Sequence, residues 1–290
     1  VDPRRPRAGR SFEEWLRADI TRTIVAARTR NAGRNGPARR AWRTIVDRCG
    51  SGCVAGRHFP ESARASEFGK EHPIVSASQA RSPERYAEFA RLGVATVYEA
   101  SGQEGLIDIP LHQLIPRSRA AGPARTVRCA QDDNLMVHAC IERIVPGEIV
   151  VLTMPEPRAV ALVGDLLLTQ IIKAGAAGLL VDASVRDADD LATMGLPVWA
   201  HWINVRGAVK KVVGELDVPV MVGGSRIAPG DLLVLDTDGA CVVAQHRIED
   251  VLVATRERAE NEAIARAKYA AGAHSYDINN LRAIVEAGGA

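Results

Sequence analysis

Arg186-Asp187 lies just past the apolar run Gly178-Leu179-Leu180-Val181-Asp182, and twenty residues separate it from Gly164-Asp165. A guanidinium beside a carboxylate at the end of a buried strand is costly to desolvate unless both charges find partners there. Together Arg186 can hold an anionic substrate and Asp187 a hard divalent cation, a combination suited to making and stabilising an enolate. Asp187 can equally cap the next helix, with Asp189 and Asp190 complementing its dipole. Capping leaves Arg186 without a role, unless Asp182 pairs with it.

Gly164-Asp165-Leu166-Leu167 opens a helix-like apolar segment, whose first N–H groups have no intrahelical partner. The amides of Leu166 and Leu167 can therefore bind a substrate carboxylate. Asp165 would lie close enough to reach a metal directly or through water, although a favourable first-turn acid is its plainer role. Asn134 and His138 are four apart and share a helix face, yet Asn134 also suits an N-cap and a lone His often fills a half-apolar face. Each signal alone is weak. Together they place two acids, an Arg, a His and an Asn at the starts of elements, where α/β folds build pockets. The implied metal is a hard, oxygen-liganded ion such as Mg²⁺. No Cys/His set has zinc spacing, and no Gly-x-Ser-x-Gly nucleophile motif occurs.

The elements that must position these residues are read from period and punctuation. Ser82-Pro83-Glu84 starts a helix that runs to Leu92 and stops at Gly93. Thr96–Ala100 is a second short helix, closed by Gly102. Thr126–Cys129 is expected as a strand, Asn134–Ile144 as a helix, and Glu148–Leu152 as a buried strand. Val163–Ala174 is then a helix, Gly178–Val181 a strand, Asp187–Met194 a helix, and Pro197-Val198-Trp199 a short strand. Beyond this the pattern turns to β: Val218–Val222, Leu232–Leu235 and Cys241–Val243 are short apolar runs. Gly223-Gly224, Pro229-Gly230 and Asp238-Gly239 mark their turns. A last helix spans about Ile248–Tyr269. Strands alternating with helices, then consecutive short strands, indicate a compact α/β layer structure. No Gly-x-Gly-x-x-Gly after a strand and no Walker loop argue for a nucleotide fold.

Composition bounds the reading. The chain has 290 residues, 47% of them hydrophobic and only 4% aromatic, enough for a sizeable core. No membrane span is expected, since no stretch of about 18 uncharged apolar residues occurs. Cys49, Cys53, Cys129, Cys140 and Cys241 are odd in number and scattered, with only Cys49 and Cys53 close, as expected for reduced thiols in a cytoplasmic protein. The net charge of +2 hides an asymmetry: residues 1–60 hold fourteen Arg, no Lys and five acids. These Arg come with Pro and Gly rather than with an apolar period. Residues 1–73 are therefore read as a basic, disordered N-terminal extension, with order beginning near Ile74. No base-stacking aromatics are interleaved there, so no nucleic-acid partner is expected.

At these residues the sequence resembles the class II pyruvate aldolases of the 4-hydroxy-4-methyl-2-oxoglutarate / 4-carboxy-4-hydroxy-2-oxoadipate type. These share a fold with the regulator of ribonuclease activity A-like proteins. The resemblance covers residues 74–290, on Leu92-Gly93-Val94-Ala95-Thr96-Val97-Tyr98-Glu99-Ala100, Asp133-Asn134, Gly164-Asp165-Leu166-Leu167, Val185-Arg186-Asp187, Met194-Gly195-Leu196-Pro197-Val198-Trp199, Pro229-Gly230-Asp231 and Asn261-Glu262. It implies an α/β fold of the swivelling β/β/α sandwich type, a single compact domain with a C-terminal helix.

The resemblance also implies a chemistry: metal-dependent retro-aldol cleavage of a 4-hydroxy-2-oxo acid to pyruvate, with oxaloacetate decarboxylation as a side activity. Asp187 would ligate Mg²⁺ or Mn²⁺, and Asp165 would hold a metal-bound water. Arg186 would face the pyruvyl oxygens, the Leu166 and Leu167 amides would bind the carboxylate, and Asn134 and His138 would line the substrate site. Glu262 would reach the metal waters from a neighbouring subunit of a trimer or hexamer. Ser184 and His201-Trp202-Ile203 depart from the family pattern and are expected to alter the distal pocket. Two alternatives remain: a non-catalytic, protein-binding regulator of ribonuclease activity, and a dedicated oxaloacetate decarboxylase.

Overall fold

Side chains along the central strands alternate between two cores, and this alternation sets the layers. In a computed structural model that describes residues 83–288, β3 (Ile149–Thr153) and β5 (Gly178–Val185) send Val150, Leu152, Leu179 and Val181 to one side. Ile149, Val151 and Leu180 go to the other, as the period of two requires. The expectations for residues 1–73, for Cys49 and Cys53, and for Ser82 as a helix cap lie outside the described residues.

The first core lies under a helix layer: α3 (Leu135–Ile141), α4 (Asp165–Lys173) and α5 (Ala188–Leu191). The second lies against a β hairpin of β8 (Val220–Val222) and β9 (Ser225–Ile227). A third is closed by α1 (Pro83–Leu92), α2 (Val94–Ala100) and the first turns of α6 (Ile248–Ala270) on the outer face of β10 (Leu232–Asp236) and β11 (Gly239–Val243). Among the described residues one nine-stranded sheet runs β1-β6-β5-β3-β2-β10-β11, with β4 on β5 and β7 on β2. Here β1 is His112–Gln113, β2 Ala120–Arg128, β4 Ala161–Val163, β6 Val198–Ile203 and β7 Glu215–Leu216. β2, β3, β5 and β6 are parallel, while β10 and β11 add antiparallel strands. The sheet curls into a half-barrel, giving the mixed α/β sandwich with a C-terminal helix that the sequence led us to expect. No helix of the described residues is long and apolar enough to cross a membrane.

Several boundaries differ from expectation for physical reasons. β2 starts at Ala120 rather than Thr126. Its first residues, Ala-Ala-Gly-Pro-Ala, carry no β-branched signal, and Pro123 argues against a strand. Antiparallel pairing to β10 recruits them, and the parallel ladder to β3 begins only after the proline, at Ala124. Val163 ends a strand instead of starting a helix: Ala161–Val163 pairs with the end of β5, and a short apolar run cannot be assigned by period alone. Gly164, extended at φ −131, separates this strand from α4. β5 continues to Val185 because its polar residues find partners. Asp182 meets His201 Nδ1 at 3.0 Å, and Ser184 Oγ donates to the Trp202 carbonyl at 3.2 Å. Asp182 therefore pairs with His201 and not with Arg186.

Candidate active site

The strand–Gly–helix turn at residues 161–167 stands beside the end of β5, because β4 pairs with Ser184 and Val185. That pairing brings the N-terminus of α4 to Arg186-Asp187. A Cβ on Gly164 would lie 2.4 Å from Asp187 Oδ2 and 3.0 Å from Arg186 Nε, so only glycine leaves the two charged side chains room here. Gly207 faces Arg186 from another segment, with Nη1 3.1 Å from where its Cβ would be.

Asp187 takes the left-handed conformation, φ 59, at the start of α5, and its side chain makes no capping hydrogen bond. Asp tolerates this region better than most residues. Its carboxylate turns instead towards Arg186, Nε to Oδ2 3.4 Å, and accepts a long contact from the Asp165 amide at 3.4 Å. The capping alternative is thus not what the side chain does.

A cavity of about 130 Å³ opens at this point. Six of the expected residues line it: Asn134, His138, Asp165, Leu166, Leu167 and Arg186. Asn134 is buried and donates through Nδ2 to the Leu162 carbonyl at 2.9 Å. Its Oδ1, and Nε2 of His138, are buried without a hydrogen-bond partner. Unmatched buried polar atoms are uncommon in proteins and call for an explanation; two of them sharing one cavity mark a place shaped for a polar ligand. Burial, and secondly the nearby Lys210 ammonium, hold His138 below its ordinary pKa, so the ring is neutral at pH 7. Leu166 is 73% exposed although it is a large apolar residue at the mouth.

Lys210 also lines the cavity, although no local pattern marks it. Its segment has no helical or strand period; isolated bridges Asp133 to Val209 and Ala161 to Gly207 bring it in. Glu262 is not in this cavity. It lies on α6 and pairs with Arg258 Nε at 2.9 Å, while Arg258 in turn approaches Glu99 at 3.9 Å. Ser184 and His201 do not line the cavity either.

The donor set bears on a metal. Among the described residues no three His, Cys, Asp or Glu side chains come together as a cage. Cys129, Cys140 and Cys241 are buried with thiols pushed up to about 12 by desolvation. What remains is an oxygen donor, Asp187, in the room left by Gly164, with Asp165 beside it. That fits Mg²⁺ or Mn²⁺, which keep several waters and need only one or two carboxylates, and does not fit a structural zinc site.

Residues 94–242 match a protein-family model described as RraA-like, Aldolase/RraA. A candidate 4-hydroxy-4-methyl-2-oxoglutarate aldolase of Halalkalibacterium halodurans is 31% identical over 177 residues, covering 60% of this chain and 84% of that protein. Among solved structures, Streptomyces coelicolor RraAS2, described as an unusual member of the RNase ES inhibitor RraA protein family, superposes with a TM-score of 0.58 at 26% identity, covering 65% of this chain and 99% of that one. An uncharacterized protein from Pseudomonas syringae pv. tomato shares the fold, with a TM-score of 0.59 at 23% identity over 67% of this chain and 96% of that one. The match spans both strand ends that build the cavity, and the chain belongs to the RraA-like, Aldolase/RraA family.

Proposed function

We propose that the chain is a divalent-metal-dependent lyase that cleaves a 4-hydroxy-2-oxo acid, such as 4-carboxy-4-hydroxy-2-oxoadipate or 4-hydroxy-4-methyl-2-oxoglutarate, to release pyruvate. The observation that carries this reading is the convergence of Arg186, the α4 N-terminus and two unpartnered buried polar atoms on one small cavity, with Asp187 outside its lining but set against Arg186 and Gly164, which do line it. The aldolase name of the 31% identical relative supports it.

The Leu166 and Leu167 amides bind the substrate carboxylate, aided by the helix N-terminal partial charge. Asn134 Oδ1 and His138 Nε2 orient the bound acid, and Lys210 adds a second positive charge. Asp187 would hold the Mg²⁺ or Mn²⁺ ion, with Asp165 and a partner subunit's carboxylate assisting through water. When bound, the ion supplies Lewis-acid polarisation of the 2-oxo group. Asp165, through a water, takes the proton of the C4 hydroxyl. The C3–C4 bond then breaks, leaving a carbonyl product, and its electron pair becomes the pyruvate enolate, whose oxygen Arg186 faces. Protonation at C3 releases pyruvate. Oxaloacetate gives the same enolate by loss of CO₂, so decarboxylation accompanies the aldol activity.

Glu262 lies outside its own chain's cavity, which agrees with a role in the site of a neighbouring copy within a trimer or hexamer. The exposed apolar residues of the C-terminal region, Ile264, Ile284 and Val285 among them, agree with burial against such a copy. Residues 74–290 would then form the catalytic unit of a cytoplasmic enzyme, with the basic segment before it dispensable for cleavage.

One test is pyruvate release by the purified chain from both aldol substrates and from oxaloacetate, with Mg²⁺ and with EDTA. Metal-dependent release from an aldol substrate is expected. Release from oxaloacetate alone would make the chain a decarboxylase. No turnover of any would favour the second reading, a protein-binding regulator, which the description of the Streptomyces neighbour supports.

A further inference from the structure

Asp133 is only 1% exposed and lies beside the cavity without lining it. Its Oδ1 accepts the Leu135 amide at 2.8 Å, and its Oδ2 accepts the amides of Lys211 and Val212 at 2.6 and 2.8 Å. A buried carboxylate is expensive unless hydrogen-bonded. Desolvation alone would raise its pKa, but the three amides and the Lys210 charge outweigh it and hold the group ionised, below the usual carboxylate range.

The contact joins two segments far apart in sequence. Around it the main chain is zipped, with Asn134 N donating to Val209 O and Val209 N to Asp132 O, each at 2.9 Å. Main-chain bonds to Ala161 and Asp132 hold residues 206–209, whereas the two amides that follow Lys210 are held by Asp133. None of residues 204–214 is buried, and Val205 is 87% exposed. A lysine there, on a flexible four-carbon stem, loses considerable rotamer entropy when ordered. Yet Lys210, immediately before the two clamped amides, lines the cavity and, with Ala208, is what this segment brings to it.

We propose that Asp133 is a positioning residue: it fixes the backbone of residues 211–212 so that Lys210 stays over the cavity, and it sets, through the Leu135 amide, the start of the helix carrying His138. The placement is independent of the reaction; its catalytic consequence rests on the lyase reading above.

The test follows His138, whose titration senses Lys210, by NMR of the full chain with labelled histidine. The variants are Asp133→Asn, Lys210→Met, their double, and Val212→Pro, which removes one clamped amide at an exposed position and leaves Asp133 intact. Amide exchange in β3 and β5 serves as the folding control. The expected result is a higher His138 midpoint in Lys210→Met, a rise in the same direction in Asp133→Asn and Val212→Pro, and no further rise in the double variant. In Asp133→Asn the amides of Lys211 and Val212 also exchange faster while β3 and β5 stay protected. An unmoved His138 in folded Asp133→Asn and Val212→Pro, an additive rise in the double, or no rise in Lys210→Met overturns the proposal. Kinetics then separate the two readings. With lyase activity in the wild type, Asp133→Asn is expected to lower kcat/KM by about ten- to a hundredfold, as misplacement of an active-site group does, and to add no loss to Lys210→Met. With no wild-type turnover, the lyase reading fails while the His138 result still decides the placement.

Discussion

Two arginine–carboxylate clusters on the same sheet show how alike residues take different roles. At one end Arg125 of β2 is sandwiched between acids. Nε and Nη2 donate to the two oxygens of Glu148, each at 2.8 Å, and Nη1 donates to Asp217. These bonds, that to Glu148 first, raise the Arg125 pKa. At the other end Arg186 meets Asp187 only obliquely, at 3.4 Å, beside two buried polar atoms that have no partner. The Arg125 cluster lines a cleft of about 1060 Å³, far larger than the 130 Å³ cavity at Arg186. Size does not select the site. Paired charges spend their bonding capacity on the fold, whereas loosely paired charges beside unsatisfied donors and acceptors retain it for a ligand.

This contrast is sharpest when each arginine is removed. Arg186→Ala should lower kcat for pyruvate release by about 10²–10³-fold, the usual cost of a lost enolate-stabilising donor, with Tm nearly unchanged. Arg125→Ala should do the reverse. It strands partly buried carboxylates and should cost about 2–3 kcal/mol, read as a lower Tm, while activity per folded molecule persists. Equal activity losses in both variants would erase the distinction.

Gly164→Ala tests whether the space at Asp187 matters. Its Cβ would displace Asp187 or Arg186, and a shift of about 1 Å can cost about a hundredfold in rate. Wild-type kinetics in a variant of unchanged Tm would remove that role for the glycine.

Mixing Arg186→Ala with Glu262→Gln asks whether one site draws on two chains. Each variant alone should be strongly impaired, and a re-assembled equal mixture should regain roughly a quarter of wild-type sites if neighbouring copies share them in a ring. No recovery would confine the site to one chain.

The smallest expected effect concerns Asp133. Its folded pKa is lowered, so its contribution to stability is present above the unfolded value of about 3.9 and is lost as pH falls through the folded value. The Tm gap between wild type and Asp133→Asn should therefore shrink on acidification below about pH 4. A gap independent of pH would show that the carboxylate charge contributes nothing.

Much of the site was legible because its signals are local. A Gly-Asp at a helix start and an Arg-Asp after a buried strand can each be read in a few residues, and periodicity placed α4, β5 and β10 within a few positions. The family resemblance supplied the common purpose that the residues alone left open. Where long-range pairing decides, the sequence fell short. The Ala-Gly-Pro start of β2 is a strand only because β10 accepts it, and Val163 ends the strand Ala161–Val163 rather than starting a helix because β5 beyond its pairing with β3 accepts it.

What the sequence determined by itself is therefore the set of reactive groups and the period of the elements carrying them, since both depend on neighbours in the chain. Tertiary structure decided which groups meet. It gave Asp182 to His201, left the Asp187 carboxylate without a cap to make, and put Glu262 away from its own cavity. It also drew Lys210, unannounced by any local pattern, to the cavity through main-chain bridges and the Asp133 carboxylate. Hydrogen bonds between segments nearly eighty residues apart leave no trace in local sequence, because their energy depends on where the fold brings each donor and acceptor.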